Sequence, residues 1–165
     1  MRTPKLMNIS EGEKGIEETL YIMSDLVQEG KTNIKVRNLA TKILRDNDIG
    51  QKDYDGEVEA LFSFVRDNVR YTKDIHGVEF VQHADTIIDV LAGDCDDKAI
   101  LLSSLLESVG YATRLVAGHF KSQKGFSHVW IQVLQKNEWV DLDATEDVGV
   151  GWSPDNVIKY LILEN

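Results

Sequence analysis

The sequence predicts an α+β domain in which helices come first and an antiparallel sheet follows. Before Gly110, apolar residues recur at three- and four-residue steps, which is the spacing of helices. After Gly110, apolar and polar residues alternate, which is typical of strands with one buried face. Helices followed by strands are the pattern of the α+β class. Because 165 residues suffice for one sizeable core and are few for two, we expect a single domain over 1–165.

Five helices are expected, at about 10–30, 33–45, 55–69, 86–91 and 95–109. Ser10 and Glu13 have capping-box spacing at the start of the first helix, and Gly30 is expected to end it. The fifth helix is apolar on most of its circumference, and Gly110 suits the left-handed backbone of a helix C-terminus. The residues expected to face the core from the first three helices are Ile16, Leu20, Met23, Val27, Ile34, Leu39, Ile43, Leu44, Val58, Leu61, Phe62, Val65 and Val69.

Strands are expected at 113–117, 127–134 and 138–143, whereas 157–163 fits either a fourth strand or a helical turn. The residues 135–138 are polar and suit a tight hairpin between the second and third strands. Together these segments predict an antiparallel meander packed on the helices.

Charge and cysteine content exclude several classes of function. A net charge of −10 and a pI near 4.8 disfavour contact with a phosphate backbone, so we expect no nucleic-acid partner. The sequence contains neither a run of eighteen apolar residues nor an apolar signal peptide, so we expect a soluble, cytoplasmic protein without a membrane partner. One cysteine excludes an intramolecular disulfide and a cysteine-cluster zinc site.

The single cysteine lies in segment 93–99, where a turn leads into the apolar fifth helix. At the first turn of a helix, unpaired N–H groups and the helix dipole favour the thiolate of Cys95. Asp94, Asp96 and Asp97 oppose this effect with negative charge unless they point outward. Their spacing is not that of a calcium loop, so no metal is expected. Taken alone, a lone cysteine is more often a small buried residue than a nucleophile.

A histidine and an aspartate fall on one face of the predicted hairpin. With a two-residue loop at 135–136, His128 stands directly opposite Asp143, and with a four-residue loop the two are diagonal neighbours. Either register places a carboxylate beside His128, as a histidine acting as a base towards a thiol requires. The other residues on this face, which either line a cleft or belong to the core, are Trp130, Gln132 and Trp139. The competing histidines without an acid on a matching face are His76, His83 and His119.

These segments, in this order and spacing, resemble the transglutaminase-like superfamily. The resemblance is closest to the small bacterial and prophage-type predicted cysteine proteases of that group, and it covers roughly 20–146. It implies a papain-like core, in which the cysteine begins a helix packed on an antiparallel sheet. It divides the chain into an N-terminal helical part of about 10–50 and a core of about 55–146. The segments that carry it are 62–71, 79–82, 93–99, 110–118, 127–130 and 139–145.

The resemblance implies a catalytic triad, with Cys95 as nucleophile, His128 as general base and acid, and Asp143 orienting the imidazole. The thiolate would attack an amide carbonyl to give a thioester, which water hydrolyses or an amine intercepts. The expected oxyanion donors are the backbone N–H of Cys95 and the side chain of Gln82, which matches the family's upstream glutamine. Relatives often carry proline where this chain has Ala144, which puts the geometry of that turn in question.

Three functions are compatible with these residues. The main prediction is a thiol hydrolase, a cysteine protease or amidase acting on a peptide or protein substrate without a cofactor. A transglutaminase or deamidase would use the same triad with a different acceptor. A catalytically idle domain used for binding or assembly would need none of the three residues, so their joint presence favours an enzyme.

Overall fold

The computed structural model of the chain describes residues 5–6, 12–73 and 80–165. The described residues form five helices: α1 (Glu13–Thr32), α2 (Ile34–Asp46), α3 (Tyr54–Asn68), α4 (Ala84–Val90) and α5 (Cys95–Ser108). They also form four two-residue strands: β1 (Lys5–Leu6), β2 (Arg70–Tyr71), β3 (Phe80–Val81) and β4 (Ala92–Gly93). The long strands follow: β5 (Thr113–Phe120), β6 (Phe126–Gln135), β7 (Glu138–Leu142) and β8 (Val157–Glu164). The α+β class predicted from the sequence is confirmed.

The main sheet has four antiparallel strands in the order β7-β6-β5-β8. The segment 157–163, for which the sequence left two possibilities, is a strand. It pairs with β5 at the edge opposite β7, so the predicted meander holds for β5, β6 and β7 but not for β8. The last strand of the sheet therefore lies beside its first, and β6, which carries His128, is a central strand.

The hairpin between β6 and β7 turns at Lys136 and Asn137, whose φ angles of 50° and 67° suit a two-residue left-handed turn. Gln135 pairs with Glu138, and Ile131 pairs with Leu142. This is the register that the sequence predicts for a four-residue loop. The structure reaches it with a two-residue turn at 136–137, one residue further along the chain than the predicted two-residue loop at 135–136. Apolar Val133 and Val140 face each other, which keeps one side of the hairpin on the core.

Helix α5 lies at the centre of the molecule, packed between the other helices and the sheet. Ten of its fourteen residues, from Asp97 to Leu106, are buried, as the sequence predicts for its apolar circumference. Gly30, expected to end α1, instead lies inside it. A Cβ at Gly30 would stand 2.3 Å from Ser104 Oγ, so this glycine permits α1 to approach α5 closely. The prediction for Gly30 was wrong because close packing, and not a helix terminus, requires a glycine there.

One further expectation needs correction, and another falls on a residue outside the described ranges. Ile34, expected in the core, is the first residue of α2 and is 69% exposed, because the buried face of this helix is formed by Val36, Ala40 and Ile43. Gly12 occupies the N-cap of α1, and the predicted cap Ser10 lies outside the described residues. Among the described helices, none is both long and apolar enough to cross a membrane.

Candidate active site

Cys95 is the first residue of α5, as the sequence predicts, and its thiol is half-buried. The preceding residue, Asp94, caps the helix: its Oδ1 accepts hydrogen bonds from the backbone N–H groups of Asp96 at 3.0 Å and Asp97 at 3.2 Å. Short parallel strands fix this turn from the other side, because β4 pairs with β2 and sets Gly93 against Tyr71. The position of the thiol is therefore held by a helix cap and by a strand pair.

The surroundings of Cys95 favour the thiol over the thiolate. Burial is the largest cause that raises the pKa of the Cys95 thiol, and the carboxylates of Asp96 and Asp94 raise it further. The thiol lies 3.5 Å from Asp96 Oδ1, to which it donates. A hydrogen bond from the backbone of Val129 acts in the opposite direction. Burial and both carboxylates thus oppose the effect of the helix terminus that the sequence predicts for Cys95.

His128 and Asp143 meet on the face of the sheet predicted for them. His128 Nε2 lies 2.6 Å from Asp143 Oδ2, and the Asp143 side chain is completely buried at its strand end. The other carboxylate oxygen, Asp143 Oδ1, accepts a hydrogen bond from the backbone N–H of Thr145 at 3.0 Å. The Trp130 ring stacks on His128, with centroids 5.8 Å apart and planes 24° from parallel. The imidazole is thus held at its edge by a carboxylate and on its face by an indole.

Val129 connects this pair to the cysteine. It follows His128 on β6, and its backbone bonds the Cys95 thiol. Because Nε2 of His128 is bound to Asp143, the ring nitrogen left for a thiol is Nδ1. Cys95, His128 and Asp143 are therefore brought to one region by α5, β6 and the residue after β7.

Gln82, the expected second oxyanion donor, is held against Asp97. Its backbone N–H donates to Asp97 Oδ1 at 2.9 Å, and its Nε2 donates to Asp97 Oδ2 at 2.6 Å and to the Ala92 carbonyl at 3.4 Å. Asp97 is 2% exposed, so it points inward. The three aspartates around Cys95 thus differ: Asp94 caps the helix, Asp97 fixes Gln82 and Asp96 faces the thiol.

A cleft of about 600 Å³ opens beside His128 and Asp143. Tyr71, Phe120 and Trp152 contribute aromatic rings to it, and Glu146 and Asp155 contribute carboxylates. Neither lysine nor arginine lines it within the part of the chain that the structure describes, and Cys95 lies outside its lining. These residues come from three separate segments, and no sequence signal linked them.

Trp130, Gln132 and Trp139, for which the sequence left a choice between a cleft and the core, are not among the residues that line the cleft beside His128. Trp130 is 2% exposed, and its Nε1–H donates to Asp141 Oδ1 at 2.7 Å. Arg114 stacks over the ring of Trp139, 4.3 Å from its centroid. The Gln132 amide also donates to Asp141 Oδ1, at 2.8 Å. These residues form a polar network on the outer face of the sheet, and of the three only Trp130 contacts His128.

Two of the remaining histidines, His83 and His119, have other partners in the described residues. His83 Nδ1 is 3.3 Å from Glu29 Oε2 on α1, so this histidine does have an acidic neighbour, contrary to expectation. His119 accepts from the Gly125 N–H in its own hairpin, and His76 lies outside the described residues. Within the described ranges, Asp94, Cys95 and Asp96 bring ligand atoms within 4.8 Å of one another. We assign no metal to them, since one oxygen of Asp94 already caps α5.

Comparison with known proteins identifies the family. The family model described as "Transglutaminase-like superfamily" matches residues 37–144, which is more than half of the chain. The protein therefore belongs to the transglutaminase-like superfamily. No curated protein is detectably similar to it.

Solved structures share the fold. A candidate cysteine protease from Cytophaga hutchinsonii aligns over 79% of this chain and 46% of its own, with 21% identity and a TM-score of 0.53. A candidate protease from Parabacteroides distasonis aligns over 77% of this chain and 26% of its own, with 14% identity and a TM-score of 0.61. Rad4–Rad23 bound to a 6-4 photoproduct UV lesion aligns over 82% and 38%, with 12% identity and a TM-score of 0.58. The chain thus spans less than half the length of each structure.

Proposed function

We propose that this domain is a thiol hydrolase that cleaves a peptide or other amide bond. The observation that carries the proposal is the 2.6 Å contact between His128 Nε2 and a fully buried Asp143, beside a helix that begins at Cys95. A histidine fixed by a buried carboxylate, on a strand whose next residue bonds the Cys95 thiol, supports the arrangement of a nucleophile with its base and orienting group. The family and its protease-like neighbours are consistent with this chemistry.

In the proposed reaction, the Sγ–H proton passes to Nδ1 of His128 as sulfur attacks the carbonyl carbon. The C–N bond of the tetrahedral intermediate then breaks, and the amine leaves with the proton from His128. This gives a thioester on Cys95 and a free amine. His128 next takes a proton from water, which attacks the thioester and releases the carboxylic acid and the thiol. The backbone N–H of Cys95 and the amide of Gln82 are the proposed oxyanion donors.

The raised pKa of the Cys95 thiol determines how His128 would act. A thiolate formed before substrate binds would lie beside Asp96 and Asp94 in a half-buried place. Transfer of the proton during attack avoids that charge, because the negative charge moves onto the substrate oxygen. We therefore propose general-base catalysis and not a preformed thiolate–imidazolium pair.

Two other functions remain in competition. Acyl transfer to an amine, as in a transglutaminase or deamidase, would use the same thioester. A binding domain is favoured by the raised pKa of the Cys95 thiol and by the fold shared with Rad4–Rad23, a complex bound to damaged DNA. With a net charge of −10, this chain is poorly suited to bind a phosphate backbone.

The test is the rate at which an activated acyl ester acylates Cys95 at pH 7. We expect the wild type to react at least about a hundred-fold faster than His128→Ala, because the base assists proton transfer. His119→Ala, a histidine outside the site, serves as the matched control and should react like the wild type. Equal rates in the wild type and His128→Ala would support the binding domain.

A peptide library then separates the two enzymatic outcomes, with Cys95→Ala as the inactive control. Cleaved products in water alone identify a hydrolase. Products that appear only when a primary amine is added, and that contain this amine, identify an acyltransferase.

A further inference from the structure

Lys98 is a buried cation on the helix that begins at Cys95. Its side chain lies one turn after the cysteine, and the residue is 3% exposed. The ammonium donates to the Ala144 carbonyl at 2.9 Å and to the Arg66 carbonyl at 3.4 Å. It forms no ion pair within 4.0 Å in the described ranges. An ammonium that is buried with only neutral hydrogen-bond acceptors costs free energy, because two carbonyl oxygens replace only part of the hydration that it loses.

The charges that face Lys98 come from two sides. Asp143 faces it from the end of β7, and Asp67 faces it from α3. Burial lowers the pKa of the Lys98 ammonium, and both carboxylates partly offset this effect. Asp143 is fully buried, and its only charged partner at bonding distance among the described residues is His128. Lys98 thus places an ammonium near a carboxylate that is shielded from solvent.

We propose that Lys98 is a positioning residue for the His128–Asp143 pair, an inference that rests on the proposed function. Its bond to Ala144 ties the residue after Asp143 to the helix that carries Cys95. The first turn of α5 therefore carries the proposed nucleophile, Cys95, and through Lys98 it also fixes the backbone next to Asp143. The ammonium also stabilises the negative charge that remains on the pair when His128 is neutral, the form that can accept the thiol proton.

A packing role alone predicts something different. If Lys98 only filled space, methionine would serve equally well, since it is apolar and of similar length. The electrostatic role predicts that the charge itself matters. Without Lys98, the His128–Asp143 pair holds the proton that the two groups share more tightly, whichever of them carries it. Loss of this proton leaves the pair with an uncompensated negative charge.

The experiment is an NMR titration of the His128 ring in the wild type and in Lys98→Met. We expect the variant to release the proton of the pair at a pH higher by about one unit. The reason is that removing a nearby positive charge in a protein interior stabilises the protonated pair. The other titratable and charged groups near the pair and Lys98 are Asp94 at the N-cap of α5, Cys95 and Asp96 in its first turn, Arg66 and Asp67 on α3, and Glu146 and Asp155 in the cleft beside the pair. They are the same in both proteins. Lys35→Met, which removes an equal charge from the surface of α2, should leave the titration unchanged.

A folded Lys98→Met protein with the wild-type titration would overturn the proposal. Should this variant fail to fold, Lys98→Gln makes the same change of charge with a polar end, and the same titration decides. The titration needs no substrate, so it is separate from the proposed function. Failure of acylation in the wild type would refute the hydrolase but leave the electrostatic result readable, and an unchanged titration beside rapid acylation would refute only the role of Lys98.

Discussion

Both oxygens of the buried Asp97 carboxylate accept hydrogen bonds from Gln82, one from its backbone and one from its side chain. Asp97 belongs to the first turn of α5, and Gln82 follows the short strand β3, so the contact joins two distant parts of the sequence. It fixes the Gln82 amide near the start of α5, the helix that begins at Cys95. The side-chain amide also donates to the Ala92 carbonyl, so a role as oxyanion donor requires it to exchange one of these acceptors for the substrate.

Gln82→Ala should slow acylation of Cys95 by about a hundred-fold, with little change in substrate binding, if the amide stabilises the oxyanion. The variant keeps the backbone bond to Asp97, so the turn itself is retained. Measurement of the maximal rate and of the half-saturating concentration separates the two effects. Gln135→Ala, at the end of β6 next to the hairpin turn, is the matched control. A change below three-fold in the maximal rate would contradict the role of Gln82 as an oxyanion donor and leave it only a structural contact with Asp97.

Gly93→Ala should destabilise the protein by about 1–3 kcal/mol, because an added methyl overpacks the site. A Cβ at Gly93 would lie 2.4 Å from the Cβ of Asp97, and neither β4 nor α5 can retreat without breaking its own bonds. Urea unfolding gives the free energy of unfolding for comparison. Gly50→Ala is the control, since a Cβ there meets nothing within 4 Å. Equal stability of the two variants would contradict the packing described here.

Asp96→Asn should lower the pKa of the Cys95 thiol and speed its alkylation by iodoacetamide several-fold at pH 7. The sign follows from the charge: Asp96 raises the pKa of Cys95, so its removal increases the thiolate fraction at any pH below the thiol pKa. Rates recorded from pH 6 to pH 10 would show the profile displaced to lower pH. Asp147→Asn, at an exposed position, should leave the profile in place. Slower alkylation of Asp96→Asn would refute this electrostatic account.

Peptides with lysine or arginine near the scissile bond should react faster than matched peptides with glutamate. Glu146 and Asp155 give the cleft negative charge, and its aromatic rings provide faces for cations. Neutralising both acids, as Glu146→Gln with Asp155→Asn, should reduce this preference several-fold, and added salt should weaken it in the wild type. Asp147→Asn, outside the cleft lining, is the control. If the preference for basic peptides persisted in the double variant, the peptide would have to bind outside this cleft.

The sequence was most informative where local periodicity and a buried face act together. In the β6–β7 hairpin, alternation alone placed His128 and the acid on one side, and the observed register is one of the two that it allowed. The turn was misplaced by one residue because Lys136 and Asn137 both adopt left-handed backbone, which composition only weakly signals. The start of α5 at Cys95 was likewise predicted, from a turn that leads into an apolar run, whereas the N-cap role of Asp94 is known only from the structure.

Local patterns in the chain were enough to predict the fold class, the helix that begins at Cys95, and the side of the sheet that carries His128 with Asp143. These features depend on residues close together in the chain, whose spacing is fixed by helix and strand geometry. Three features emerged only from the folded molecule: which aspartate points where, that Lys98 lies near Asp143, and that Gln82 binds Asp97. Such contacts join segments 15 to 46 residues apart, and their distances depend on how α5 packs between the sheet and the other helices. No local spacing encodes that packing.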